Sequence, residues 1–143
     1  MISFLLDTNV ISAHAPDARP GSPCAAWLKA HLEQAAISVV TIAEIESGIA
    51  KGASRKAALF SAWLGDLERY FEERILPFDV EAARIAGLLQ DKARSMGRDP
   101  GFADIAIAAT GVLHGLTLAT QNVRDFDMLG IAITDPSTPD VQP

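Results

Sequence analysis

Short apolar runs alternating with segments of helical period are the feature that most restricts how this chain can fold. Ile2–Leu6 is such a run, and Ala36–Val40, Thr117–Thr120 and Ile131–Thr134 repeat it. Runs of that length without polar alternation mark strands covered on both faces. Between them, Thr8–Ala15 reads as a brief helix, Cys24–Gln34 as a longer one, and Thr41 opens a helix that Gly52 stops. Leu59, Trp63, Leu67 and Tyr70 recur at helical spacing, which predicts a helix over Ser54–Glu73 with those four side chains in the core. Arg74–Phe78 is extended and ends at Asp79, a cap for a helix whose stripe is Ala82, Ile85, Ala86, Leu89 and Ala93. After a turn at Gly97–Gly101, a last helix runs from Phe102 to His114. Strands alternating with helices need crossover connections, so the expected fold is α/β: three layers, a mostly parallel Rossmann-like sheet flanked by helices.

A length of 143 residues suits one domain. It is expected over residues 1–134, with Pro16–Pro23 as a surface loop and 135–143 as a fraying tail. Hydrophobic residues make up 49% and charged ones 21%, enough for a core without a disulfide scaffold. Cys24 is alone, which fits a reducing compartment. Asp7 and Asn9 end the first run too early for a signal peptide. The longest uncharged stretch, Ile105–Val123, carries too many polar and glycine residues to span a membrane. A cytoplasmic protein with no membrane partner is expected. The net charge of −6 argues against indiscriminate binding to a polyanion. It leaves room for an enzyme whose acids reach phosphate through a bound cation. The basic clusters Lys51, Arg55, Lys56 and Lys92, Arg94, Arg98 read as solvated helix faces.

Open parallel sheets bind ligands beyond the carboxyl ends of their strands, where the strand order reverses. Asp7 follows the first strand directly, and it can equally cap the helix at Thr8. Glu44 follows the second strand, but Thr41-x-x-Glu44 is also a capping-box pattern. A cap keeps Glu44 along its own helix start; a ligand role turns it inward across the first strand. The sequence allows both. Asp104 opens a helix whose dipole is a sufficient reason for an acid there. Ala106, Ala108 and Ala109 after it let that helix lie close to the sheet. Asn122 and Asp125 follow the third strand, and either can face the same crevice. Three acids and this pair, if they converge, need a dication or a proton to offset their repulsion. An all-oxygen site suits Mg²⁺ or Mn²⁺. Zinc is a poor match, since His14, His31 and His114 show no ligand spacing and Cys24 has no partner. No P-loop, dinucleotide Gly fingerprint or Gly-x-Ser-x-Gly elbow is present. No aromatic stacking platform or base-reading motif stands out.

Leu5-Leu-Asp7-Thr-Asn-Val-Ile11, Thr41-Ile-Ala-Glu44, Asp104-Ile-Ala-Ile-Ala-Ala-Thr110 and Leu118-Ala-Thr-Gln-Asn122-Val-Arg-Asp-Phe126 resemble the four signature segments of PIN domains. The likeness is nearest to the VapC and FitB toxins of bacterial toxin–antitoxin pairs, and Arg74-Ile-Leu-Pro-Phe-Asp79 shares it. The resemblance implies Mg²⁺-dependent cleavage of single-strand or structured RNA, a homodimer, and a small antitoxin that inhibits it. DNA would be met only through the antitoxin. By position, Asp7, Glu44 and Asp104 match the acids that ligate or orient the metal, with Mn²⁺ able to replace Mg²⁺. Asp125 is carried as a fourth catalytic acid, because many relatives have an acid where this chain has Asn122. Thr8, Asn9 and Asn122 fall beside the metal or on the substrate side. In-line attack is then expected to leave a 3′-hydroxyl and a 5′-phosphate.

Other functions fit the residues less well. A haloacid-dehalogenase-like phosphatase wants a second Asp two residues after the nucleophile, where this chain has Asn9. A phosphorelay receiver wants a Lys after a late strand, and none lies there. A degenerate PIN scaffold that only binds its antitoxin remains open, with Asn122 as the lesion.

Overall fold

The computed structural model describes residues 1–52 and 54–138. Among these, strands β1 (Phe4–Leu6), β2 (Ala35–Ser38), β3 (Ile75–Leu76), β4 (Thr117–Ala119) and β5 (Ile133–Thr134) form one sheet in the order β3-β2-β1-β4-β5. Every neighbouring pair is parallel. The helices are α1 (Thr8–Ile11), α2 (Pro23–His31), α3 (Val39–Lys51), α4 (Ser54–Tyr70), α5 (Val80–Ser95) and α6 (Phe102–Leu113). The chain moves from β1 outward to β2 and β3, then returns across the sheet to β4 and β5. Strand order therefore reverses between β1 and β4, and the crevice at their carboxyl ends is the place such a sheet offers a ligand.

The apolar runs divide by alternation. Leu5, Ala36 and Leu118 face α5 and α6, whereas Leu6, Ala35, Ile37 and Ala119 face the helices of the other layer. Ile105 through Gly111 of α6 are buried throughout, as a helix wedged between sheet and α5 must be. Its small side chains allow the approach: a Cβ on Gly111 would already touch Leu5 Cδ2 at 3.6 Å. That closeness brings the first turn of α6, with Asp104, up to the strand ends.

Most elements are shorter than expected by one to four residues, and two of the differences matter to the site and the core. β2 stops at Ser38 rather than Val40, because Ser38 accepts a hydrogen bond from the Val40 amide at 3.0 Å and starts α3 there. α4 ends at Tyr70 rather than Glu73, where a 3₁₀ turn, Glu72–Arg74, takes over. The α4 stripe is also rotated: Leu59 is 57% and Tyr70 44% exposed, while Leu64, Leu67 and Phe71 form the buried face. Asp79 caps α5 as predicted, accepting from the Ala82 amide at 2.9 Å. The expected tail begins with a packed turn, in which Asp135 accepts from the Ser137 amide at 2.9 Å and Pro136 is buried. Residues 139–143 of that tail lie outside the described residues. Among the described residues, no helix is long and apolar enough to cross a membrane.

Candidate active site

Asp7 sits where strand order reverses. Its amide donates to the Ala119 carbonyl at 2.8 Å, which ties the end of β1 to β4. The residue is 2% exposed. Oδ1 accepts from the Thr8 amide at 2.8 Å, so Asp7 does cap α1. Oδ2 accepts from Thr120 Oγ1 at 2.8 Å and from Asn9 Nδ2 at 3.3 Å. Asn9 in turn bridges to β4, accepting from the Gln121 amide at 3.1 Å while its carbonyl accepts from Gln121 Nε2 at 3.0 Å. Burial lifts the Asp7 carboxyl above the usual range; the bonds from Thr120 and Thr8 oppose that, and the charges of Glu44 and Asp125 add to it.

Glu44 does not complete a capping box. With Ser38 as the cap, Thr41 falls inside the first turn of α3, fully buried, its hydroxyl 3.0 Å from that of Thr8. Glu44 lies one turn later and accepts from Thr8 Oγ1 at 2.6 Å. The carboxylate is thus turned across the end of β1, toward Asp7. Thr8 is the hinge of this arrangement: its amide serves one acid and its hydroxyl the other.

Asp104 occupies the first turn of α6. Its pKa is raised to about 6, first by burial and then by the charges of Asp7, Glu44 and Asp125. Asp125, half-buried in the 3₁₀ turn Val123–Asp125, shares a recess of about 210 Å³ with Asp104 and Arg98. Arg98 fixes that turn by donating to the Arg124 carbonyl at 2.8 Å. Asn122 is exposed, and its side chain makes no capping bond to the turn. Its amide instead donates to Thr120 Oγ1 at 3.0 Å. The acids from four separate segments thus feel one another. Among the described residues, the only ion pairs, Arg69–Asp66 and Arg94–Asp99, involve none of them.

Thr41 and Thr120 were not expected in the site. Both are fully buried hydroxyls just beyond a strand end, and a threonine in that position is the signal that could have found them. The residues present suit a hard dication: anionic oxygens, partly desolvated, with no cation bonded to them. Among the described residues, no three His, Cys, Asp or Glu side chains stand close enough to enclose an ion alone. Mg²⁺ does not require that, since it keeps several waters and is commonly held by one or two carboxylates.

The PIN domain family matches residues 4–130, a span that contains every one of these residues. The chain belongs to the PIN-domain family. As a PIN domain it is 36% identical to the VapC ribonuclease Y4jK of Sinorhizobium fredii, over 95% of its own length and 99% of that protein's. It is 35% identical to the toxin FitB of Neisseria gonorrhoeae, covering 93% of this chain and 97% of FitB. The solved structure of FitAB bound to an IR36 DNA fragment superposes with a TM-score of 0.85 at 32% identity, over 98% of this chain and 99% of that one. In this PIN domain Asp125 lies three residues beyond Asn122 and lines the same recess as Asp104.

Proposed function

We propose that this PIN domain is an Mg²⁺-dependent RNA endonuclease and the toxin of a toxin–antitoxin pair. The observation that carries the reading is the gathering of Asp7, Glu44, Asp104 and Asp125 at the reversal point of the sheet, where burial and the neighbouring acids raise Asp7 and Asp104 and, among the described residues, none of the four is in an ion pair. Relatives that match along nearly the whole chain are named as a ribonuclease and a toxin. Asp7 and Asp104 hold Mg²⁺, or Mn²⁺ in its place, and Glu44 helps to orient the attacking water. A bound dication supplies charge neutralisation at the scissile phosphate and lowers the pKa of water. The bonds from Thr120 and Thr8 favour the ionised form of Asp7 against its burial, and with Asn9 they fix its direction. Asp125 faces Asp104 across the recess and takes the place of an acid at Asn122. The working protein is a cytoplasmic homodimer, held inactive by a small antitoxin that alone brings it to DNA.

Purified protein freed of any partner should cut single-strand or structured RNA with Mg²⁺ and stop with EDTA. Asp7→Ala and Asp104→Ala should each lower the rate at least a hundredfold. Equal rates in parent and both variants would end this reading. Expression without the antitoxin should arrest growth; normal growth by cells holding active enzyme would remove the toxin role.

A further inference from the structure

We infer that the cavity on the Glu44 side of the carboxylates seats one unpaired base of the RNA strand, next to the bond being cut; this rests on the nuclease reading above. The cavity is about 340 Å³, and Thr8 and Glu44 belong both to it and to the acid cluster. Its far wall carries Phe60 and Trp63 of α4, set edge to face with ring centres 6.1 Å apart. No aromatic platform was evident in the sequence, because these rings meet Glu44 only when α4 packs back on α3. The volume suits one flat heteroaromatic ring and is small for a helix or a run of peptide. Asp17 and Glu44 repel a phosphate there, while a neutral base can use both as acceptors and Lys56, at the same cavity, as a donor. Glu44 lines this cavity and is tied through Thr8 to Asp7, so a strand whose phosphate lies on the carboxylates has the cavity beside it for a neighbouring base. The aromatic wall holds an unpaired base by stacking, and the acceptors Asp17 and Glu44 with the donor Lys56 choose among base edges once it is held there.

Gly48, one turn after Glu44 on α3, allows a test that leaves the fold intact. A Cβ there would meet nothing within 4 Å, so Gly48→Leu projects into the open cavity. Leucine also favours the helix over glycine. The full chain should be assayed with Mg²⁺ on short single-stranded RNAs that carry one cleavable bond. The bases flanking that bond are varied, and in one RNA the flanking base is replaced by an abasic nucleotide. The parent should discriminate among the bases and lose about tenfold or more in kcat/KM on the abasic RNA. Gly48→Leu should lose a similar factor on the intact RNA, mostly in KM, and nothing more on the abasic one. Trp63→Phe, which keeps a ring, should retain most of the discrimination, and Trp63→Leu should lose it. Parent and Gly48→Leu cutting every RNA alike would overturn the base site while leaving the nuclease intact. Unchanged RNA kinetics with weakened antitoxin binding would give the cavity to a protein side chain instead and also overturn it. A parent that cuts no RNA removes the nuclease reading, and this one with it.

Discussion

Thr120 shows how much of this site is carried by one neutral side chain. Its hydroxyl is fully buried, donates to Asp7 Oδ2 at 2.8 Å and accepts from the Asn122 amide at 3.0 Å. The bond favours the ionised form of a carboxyl that burial pushes the other way. Thr120→Val keeps the shape and removes both bonds. The Asp7 pKa should rise further, so any activity that needs ionised Asp7 should have its acid limb moved to higher pH. Losing a donor to the buried Asp7 carboxylate should also cost about 1–3 kcal/mol of stability. A pH–rate profile and a urea titration check the two halves separately; an unmoved acid limb with a lowered midpoint would reduce Thr120 to a structural role. Cys24 is the contrasting case. Burial and the charge of Asp135 raise its thiol pKa, so it behaves as a small apolar side chain on the buried face of α2 rather than as a nucleophile.

Elements were legible in the sequence wherever period and cap agreed, and misread where two signals of equal quality stood side by side. The order of strands and helices, and the acids at the strand ends, followed from apolar runs and from Asp7, Asp79 and Asp104 as helix starters. α3 was misplaced because Ser38 and Thr41 are both good caps, three residues apart, before the same apolar segment. Packing chose Ser38, and that choice frees Glu44 to reach Thr8. Ser38→Ala should therefore cost about 1 kcal/mol in helix stability. It should also lower cleavage, because a helix restarting at Thr41 draws that hydroxyl away from Thr8; urea unfolding beside kcat tests both. In α4, two helical stripes share Leu67: one runs through Leu59, Trp63 and Tyr70, the other through Leu64 and Phe71. Periodicity alone cannot say which faces the core, and the choice falls to the fit against α3, with Leu64, Leu67 and Phe71 in one core with Ile45. Leu64→Ala should cost about 2–5 kcal/mol, as core truncations do. Leu59→Ala, on the exposed stripe, should stay within about 0.5 kcal/mol. Comparable losses in the two variants would contradict the observed rotation of α4.

The whole molecule is an acidic protein folded around the mutual repulsion of its own carboxylates. Asp104 has a folded pKa of about 6 against an ordinary 3.8, so the folded state binds its proton more tightly than the unfolded chain does. The sign follows from linkage: that contribution is fully present below pH 3.8 and is lost as pH rises through about 6. Asp7, also raised, acts in the same direction. Metal-free protein should thus become more stable, not less, as pH is lowered from 7.5 toward 5. Each pK unit corresponds to about 1.4 kcal/mol, and partial exposure of Asp104 screens the effect, which leaves about 1–2 kcal/mol at neutral pH. Asp104→Asn removes the charge and should recover that amount at pH 7.5 while flattening the slope. A dication relieves the same repulsion by another route. Millimolar Mg²⁺ should therefore raise the Tm of the parent at pH 7.5, have a smaller effect at pH 5 where protons compete for the same oxygens, and do little for Asp104→Asn. Thermal unfolding of parent and variant at both pH values, with Mg²⁺ and with EDTA, gives the full comparison. A parent that is no more stable at pH 5 than Asp104→Asn is relative to pH 7.5, and indifferent to Mg²⁺, would mean that these acids do not share one field, and the catalytic reading would lose its physical basis.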